Sequence, residues 1–137
     1  MAPSVILDTD VASRLFKRNL PAVFASELVG YRPVITFVTL AEMTKWTELH
    51  SWGPYRREQL DRWLQPMAVL PATPQVARTW GVISAAADKR GRPRPQNDTW
   101  IAACCLTYEV PIATLNTKDF IDFTEHEGLV MLGQASH

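Results

Sequence analysis

Val5-Ile6-Leu7-Asp8-Thr9-Asp10-Val11 is the stretch on which the fold turns. Three aliphatic residues in a row, two of them β-branched, suit a short strand buried on both faces. Asp8 ends the run, and Val11, Leu15 and Phe16 then recur on one helical face. An apolar strand that ends in an acid and passes into a helix is also a mild functional signal.

The rest of the chain repeats that alternation. A second helix is expected over Ala22–Val29, and Val34–Val38 is the next strand, with Pro33 just ahead of it where a missing N–H does least harm. Thr39 begins a helix to about His50, which Gly53-Pro54 breaks; another covers about Tyr55–Leu64 and stops before Pro66. Met67–Leu70 reads as a short strand, Pro74 to about Lys89 as a helix, and Gly91–Pro95 as an irregular basic loop. Asn97 caps a helix over about Asp98–Tyr108. Pro111–Leu115 is a strand, Lys118–Phe123 a helical turn and Leu129–Leu132 a last short strand. Short strands alternating with helices predict the α/β class: a three-layer α/β/α domain with a central, mostly parallel sheet.

Length and composition agree. The 137 residues leave room for a single domain, 1–137, its last few residues expected to be disordered. A chain of this size buries roughly 68% of the surface it exposes when unfolded, so it needs no disulfides. Cys104 and Cys105 are adjacent in an apolar run and read as small buried hydrophobes in a reducing compartment. No signal peptide or membrane-length apolar run is visible, and a cytoplasmic protein is expected. Formal net charge is +0. A protein relying on non-specific phosphate contacts is usually basic, so cations for a nucleic acid must be clustered or supplied as metal ions.

In a parallel α/β sheet, strand ends and helix starts share one edge, where such folds place their sites. Asp8 falls just past the first strand, Glu42 in the first turn of the helix after the second, and Asp98 at the start of the helix feeding Pro111–Leu115. Asn116 and Asp119 follow that strand. Each has a plainer reading. Thr39-Leu40-Ala41-Glu42 matches a capping box, Asp98 complements a helix dipole, and Asp8, Asn116 and Asp119 suit turns or a first helical turn. Their joint placement favours a site. Clustered carboxylates stay ionised only beside a cation, and an oxygen-only set suits Mg²⁺ or Mn²⁺. His50, His126 and His137 lack zinc-ligand spacing and read as solvated surface residues.

At these residues the chain resembles a PIN domain, and in particular the VapC toxins of VapBC toxin–antitoxin pairs. Val5–Val11 is similar to the family's opening strand and first acid, and Thr39-Leu40-Ala41-Glu42-Met43 to its second. Asn97-Asp98-Thr99-Trp100-Ile101-Ala102-Ala103 is similar to the third. Ala113–Phe120 resembles the closing motif, although many members carry an acid where Asn116 stands. The resemblance implies a metal-dependent endoribonuclease. Asp8, Glu42 and Asp98 would hold one or two divalent ions, with Asn116 or Asp119 at a fourth position. Thr9 and Thr114 would orient the acids or a phosphate. It further implies a restricted RNA target such as a transfer or ribosomal RNA loop, a small antitoxin partner and a homodimer.

Lys89, Arg90, Arg92 and Arg94 form the clearest basic cluster, either a solvated loop or a guide for RNA. Of five tryptophans, Trp46, Trp80 and Trp100 are expected in the core; Trp52 and Trp63 flank the Gly53-Pro54 break and are candidates for exposure. Two rivals stand beside the nuclease. Asp8-Thr9-Asp10 imitates the nucleophile-and-acid pair of a haloacid-dehalogenase-like phosphatase, although Ala12 and the lack of a lysine-plus-paired-acid motif count against it. The other rival is a catalytically silent PIN-like module that binds RNA or protein.

Overall fold

In a computed structural model, residues 2–133 are described; the expected disorder of the last residues, His137 included, concerns residues outside that range. The order of elements is β1 (Ser4–Leu7), α1 (Thr9–Lys17), α2 (Ala22–Glu27), β2 (Arg32–Thr36), α3 (Phe37–Leu49) and α4 (Pro54–Leu64). There follow β3 (Val69–Leu70), α5 (Pro74–Lys89), α6 (Gln96–Tyr108), β4 (Ile112–Ala113) and α7 (Thr117–Glu127). The sheet is parallel in every pairing, in the order β3-β2-β1-β4.

β1 lies inside the sheet, and its side chains divide by the period of two. Ile6 joins Val34 and Ile112 in the core under α5, α6 and α7. Val5 and Leu7 join Ile35 and Ala113 in the second core, under α1, α3 and α4. Val5, Ile6 and Leu7 are fully buried. Each contributes roughly 1.5–3 kcal/mol, a sum comparable with the 5–15 kcal/mol net stability of a typical domain. That is why this run takes an inner position and the two-residue strands take the edges. Cys104 and Cys105 are free and buried in the first core.

The structure corrects several boundaries. β2 ends at Thr36 rather than Val38, and α3 starts at Phe37, two residues earlier than Thr39. Thr36 is the cap, its hydroxyl accepting from the Thr39 N–H. Glu42 therefore sits in the second turn of α3, beyond the reach of a capping box. Pro33 lies within β2, paired with Val5. It is tolerated there because β3 reaches only Ile35 and Thr36, leaving the Pro33 side of that ladder without a partner strand. The strand expected at Met67–Leu70 is only Val69–Leu70, that at Pro111–Leu115 only Ile112–Ala113, and that at Leu129–Leu132 a single bridge, Ile112 to Met131. The helical turn at Lys118–Phe123 is a full helix, α7. Asn97 does not cap α6; the helix starts at Gln96 with Pro95 before it and no side-chain cap. All five tryptophans are half-buried, lining the margins of the two cores rather than dividing into core and surface.

Candidate active site

Asp8 leaves β1 at the edge where α1 begins, and it is only 6% exposed. Its backbone N–H donates to the Ala113 carbonyl (3.0 Å), which anchors it to β4. One carboxylate oxygen accepts from the Thr9 N–H (2.8 Å) and the other from the Thr114 hydroxyl (2.8 Å). Thr114 also receives the Asn116 N–H through the same hydroxyl, at 3.0 Å. The acid is thus clamped between the first βα turn and the segment following β4. Burial pushes its carboxyl up; the two hydrogen bonds pull it down without cancelling the rise, to which Glu42 and Asp10 add.

Glu42 is held from two sides. The Thr9 hydroxyl donates to its Oε1 at 2.6 Å, and Asn97 Nδ2 to its Oε2 at 3.4 Å. The Thr9 hydroxyl also meets that of Thr39, 2.9 Å away. Asp98, in the first turn of α6, is half-buried. Burial, followed by the charges of Asp8, Asp119 and Glu42, pushes its carboxyl up to about 6, with Arg94 opposing. Asp8, Glu42 and Asp98 line one cleft of about 350 Å³, together with Thr9, Trp46 and Asn116. Asp119 stands in the first turn of α7, outside the lining but close enough to act on Asp98.

The residues singled out in the sequence therefore gather around one cleft, except within the basic cluster. Of Lys89, Arg90, Arg92 and Arg94, only Arg94 acts on Asp98. Arg90 is committed elsewhere: it bonds Asp122 at 2.6 Å and Glu127 at 3.1 Å, with 21% of its side chain exposed. Arg92 adds to the field on the same Asp122. Lys89 is exposed in the last turn of α5. Sequence reading missed Thr36 as the cap of α3, Thr39 and Asn97 as neighbours that hold the Thr9–Glu42 pair, and Asp10 and Trp46 as cleft lining. For Thr39 and Asn97 the mistaken capping assignments hid the signal. His50 and His126 are exposed, as expected.

The donor set is made of oxygens, and the neighbouring acids add to the raised proton affinity of Asp8 and Asp98. A hard divalent cation relieves that repulsion, so the residues fit Mg²⁺ or Mn²⁺. Among the described residues, no three acids, imidazoles or thiols close into a ready cage.

The sequence matches the PIN domain family over residues 5–125. It is 30% identical over 128 residues to Ribonuclease VapC1 of Haemophilus influenzae, covering 88% of this chain and 92% of that protein. The fold is similar to a solved structure of VapBC-1 from nontypeable Haemophilus influenzae, with a TM-score of 0.76, 26% identity, and 93% and 95% of the two chains covered. VapBC-5 from Mycobacterium tuberculosis matches with a TM-score of 0.71 and 26% identity over 94% and 97%. VapBC2 from Rickettsia felis, bound to a promoter DNA fragment, is similar in fold, with a TM-score of 0.78 and 17% identity over 93% and 96%.

Proposed function

The chain belongs to the PIN-domain family, and from that premise we propose that it is a Mg²⁺- or Mn²⁺-dependent endoribonuclease, the toxin half of a VapBC-type pair. The observation that carries the reading is the convergence of Asp8, Glu42 and Asp98 on one cleft, with Asp98 pushed up to about 6 by burial and by its fellow acids. Family membership sets aside the phosphatase alternative, and the Asp10 carboxylate that would serve such an enzyme is engaged by Arg14 at 3.3 Å.

Asp8, Glu42 and Asp98 would hold the metal, with Asn116 or Asp119 at the fourth position. When bound, a divalent ion lowers the pKa of a water and stabilises charge on the departing oxygen of a phosphodiester. The protein's own part is positioning. Thr9 and Thr114 fix the Asp8 carboxylate, and Thr9 and Asn97 fix that of Glu42. No covalent enzyme intermediate is needed. A restricted RNA, such as a transfer or ribosomal RNA loop, is the substrate, and a small antitoxin and a second copy of the chain are the partners. The similar VapBC structures support the antitoxin. Among the described residues no helix is long and apolar enough to cross a membrane; buried free thiols fit a reducing cytoplasm.

The test is cleavage of total cellular RNA by the purified protein with Mg²⁺ or Mn²⁺ and with EDTA, beside Asp98→Ala. Discrete cuts that need metal and vanish in the variant are expected. No cutting by folded protein under any condition would overturn the enzyme in favour of a silent binding module.

A further inference from the structure

Two hollows continue the carboxylate cleft along α1. The first, of about 430 Å³, shares Asp10 and Trp46 with the cleft and adds Lys17, His50, Trp52 and Arg56. The second, of about 1130 Å³, shares Lys17 and Arg56 with the first and brings in Arg18, Arg62, Phe16 and Trp63. Together they form one trough from the acids to the C-terminal half of α4.

The sign of charge reverses along it. Acids line the cleft, whereas Lys17, Arg18, Arg56 and Arg62 line the far hollow and, among the described residues, no carboxylate does. Asp10, at the junction, is tied to Arg14. Arg62 pairs with Glu58 at 2.6 Å, but both side chains are more than half exposed, so water screens the pair and a phosphate can compete for the guanidinium. Four of the chain's 14 basic residues thus lie along one wall of a molecule with no net charge.

One of these cations is held in place. The Arg56 guanidinium sits 4.0 Å over the Trp52 ring. Trp52 stacks on Phe16, and Phe16 meets Trp63 edge-on. A planar cation fixed on an aromatic pile loses little freedom when it binds a phosphate. A polyanion lying in the acidic cleft leaves it along a wall of the site, and this wall carries the complementary charge.

We propose that Lys17, Arg18, Arg56 and Arg62 bind the phosphates of the single-stranded RNA segment flanking the bond that is cut. This rests on the ribonuclease reading above. The run of cations that continues from the cleft favours RNA, whose phosphates recur along the strand on either side of the bond at the acids.

The experiment is fluorescence anisotropy with a short, labelled, random-sequence single-stranded RNA in EDTA, across a salt series. Lys17→Ala/Arg56→Ala is expected to weaken binding about tenfold or more and to flatten the slope of log affinity against log salt by about 1.4, at about 0.7 per phosphate contact. Lys17→Arg/Arg56→Lys retains most of the affinity, which separates lost charge from a disturbed fold. Lys89→Ala/Arg92→Ala binds like the parent. Unchanged affinity and slope in Lys17→Ala/Arg56→Ala, or no RNA binding by the parent, would overturn the proposal and leave the trough to a protein partner. EDTA keeps the two readings apart: a failure to cut RNA in Mg²⁺ sinks the nuclease, and unaltered binding sinks the trough.

Discussion

The Thr9 hydroxyl donates to Glu42 across 33 residues of sequence at 2.6 Å, while the Thr9 N–H holds Asp8. One residue therefore sets the spacing of two acids. Thr9→Val keeps the shape and removes the hydroxyl, leaving Glu42 and the buried Thr39 hydroxyl short of a partner. Mg²⁺ affinity should fall roughly ten- to a hundredfold, with a stability loss of about 1–2 kcal/mol. Calorimetric Mg²⁺ titration reads the first, and an unchanged isotherm would remove Thr9 from the site.

Asp98 makes the metal-free protein sensitive to pH. Its folded-state carboxyl is raised to about 6 from an ordinary 3.8, so the folded chain holds a proton that the unfolded chain has released. Stability therefore falls as pH rises from about 4 to 6, and the metal-free protein should melt higher at pH 5 than at pH 7.5. Asp98→Asn should flatten that slope, as should Mg²⁺ at neutral pH. Thermal melts in EDTA that show no difference between the variant and the parent would contradict the assignment.

Asp122 has the opposite sign. Burial pushes its carboxyl up, but the hydrogen bond and charge of Arg90, helped by His126 and Arg92, hold it below its ordinary value. Its contribution is present at neutral pH and is lost as pH falls through the carboxylate range. Arg90→Met strands Asp122, only 2% exposed, and should cost about 3 kcal/mol in urea unfolding. Arg90→Met/Asp122→Leu should recover most of that loss. If the double variant is no more stable than the single one, the ion pair is not what joins the end of α5 to α7.

Asn116 offers a way to change the charge of the cleft. It lines the site without a carboxylate, its backbone already fixed by the Thr114 hydroxyl. Asn116→Asp should tighten Mg²⁺ binding by about tenfold, roughly 1.4 kcal/mol, and lower the melting temperature in EDTA. Tighter metal without a loss of metal-free stability would mean that the new acid faces away from Asp98.

The period-two burial of Val5–Leu7 and the acids at helix starts were legible because strand and helix periodicities are local. The supports of those acids were not. Thr39 and Asn97 have side chains suited to caps, and nothing local reveals that the cap of α3 is Thr36 or that Asn97 reaches Glu42, 55 residues earlier in the chain. β4 and β3 proved shorter than their apolar runs because pairing, not composition, limits an edge strand. The basic cluster divides in space for a related reason. Arg90 is adjacent in sequence to cations but in space to Asp122 and Glu127. The cations of α1 and α4, scattered in sequence, meet only once the helices pack.

Asp8 is bonded by Thr114, 106 residues later in the chain, and its strand lies between partners from both halves of the sequence. A polypeptide leaving the ribosome therefore carries its first acid long before the hydroxyl that orients it exists. The geometry of this cleft assembles only after the segment that carries Thr114 has been made.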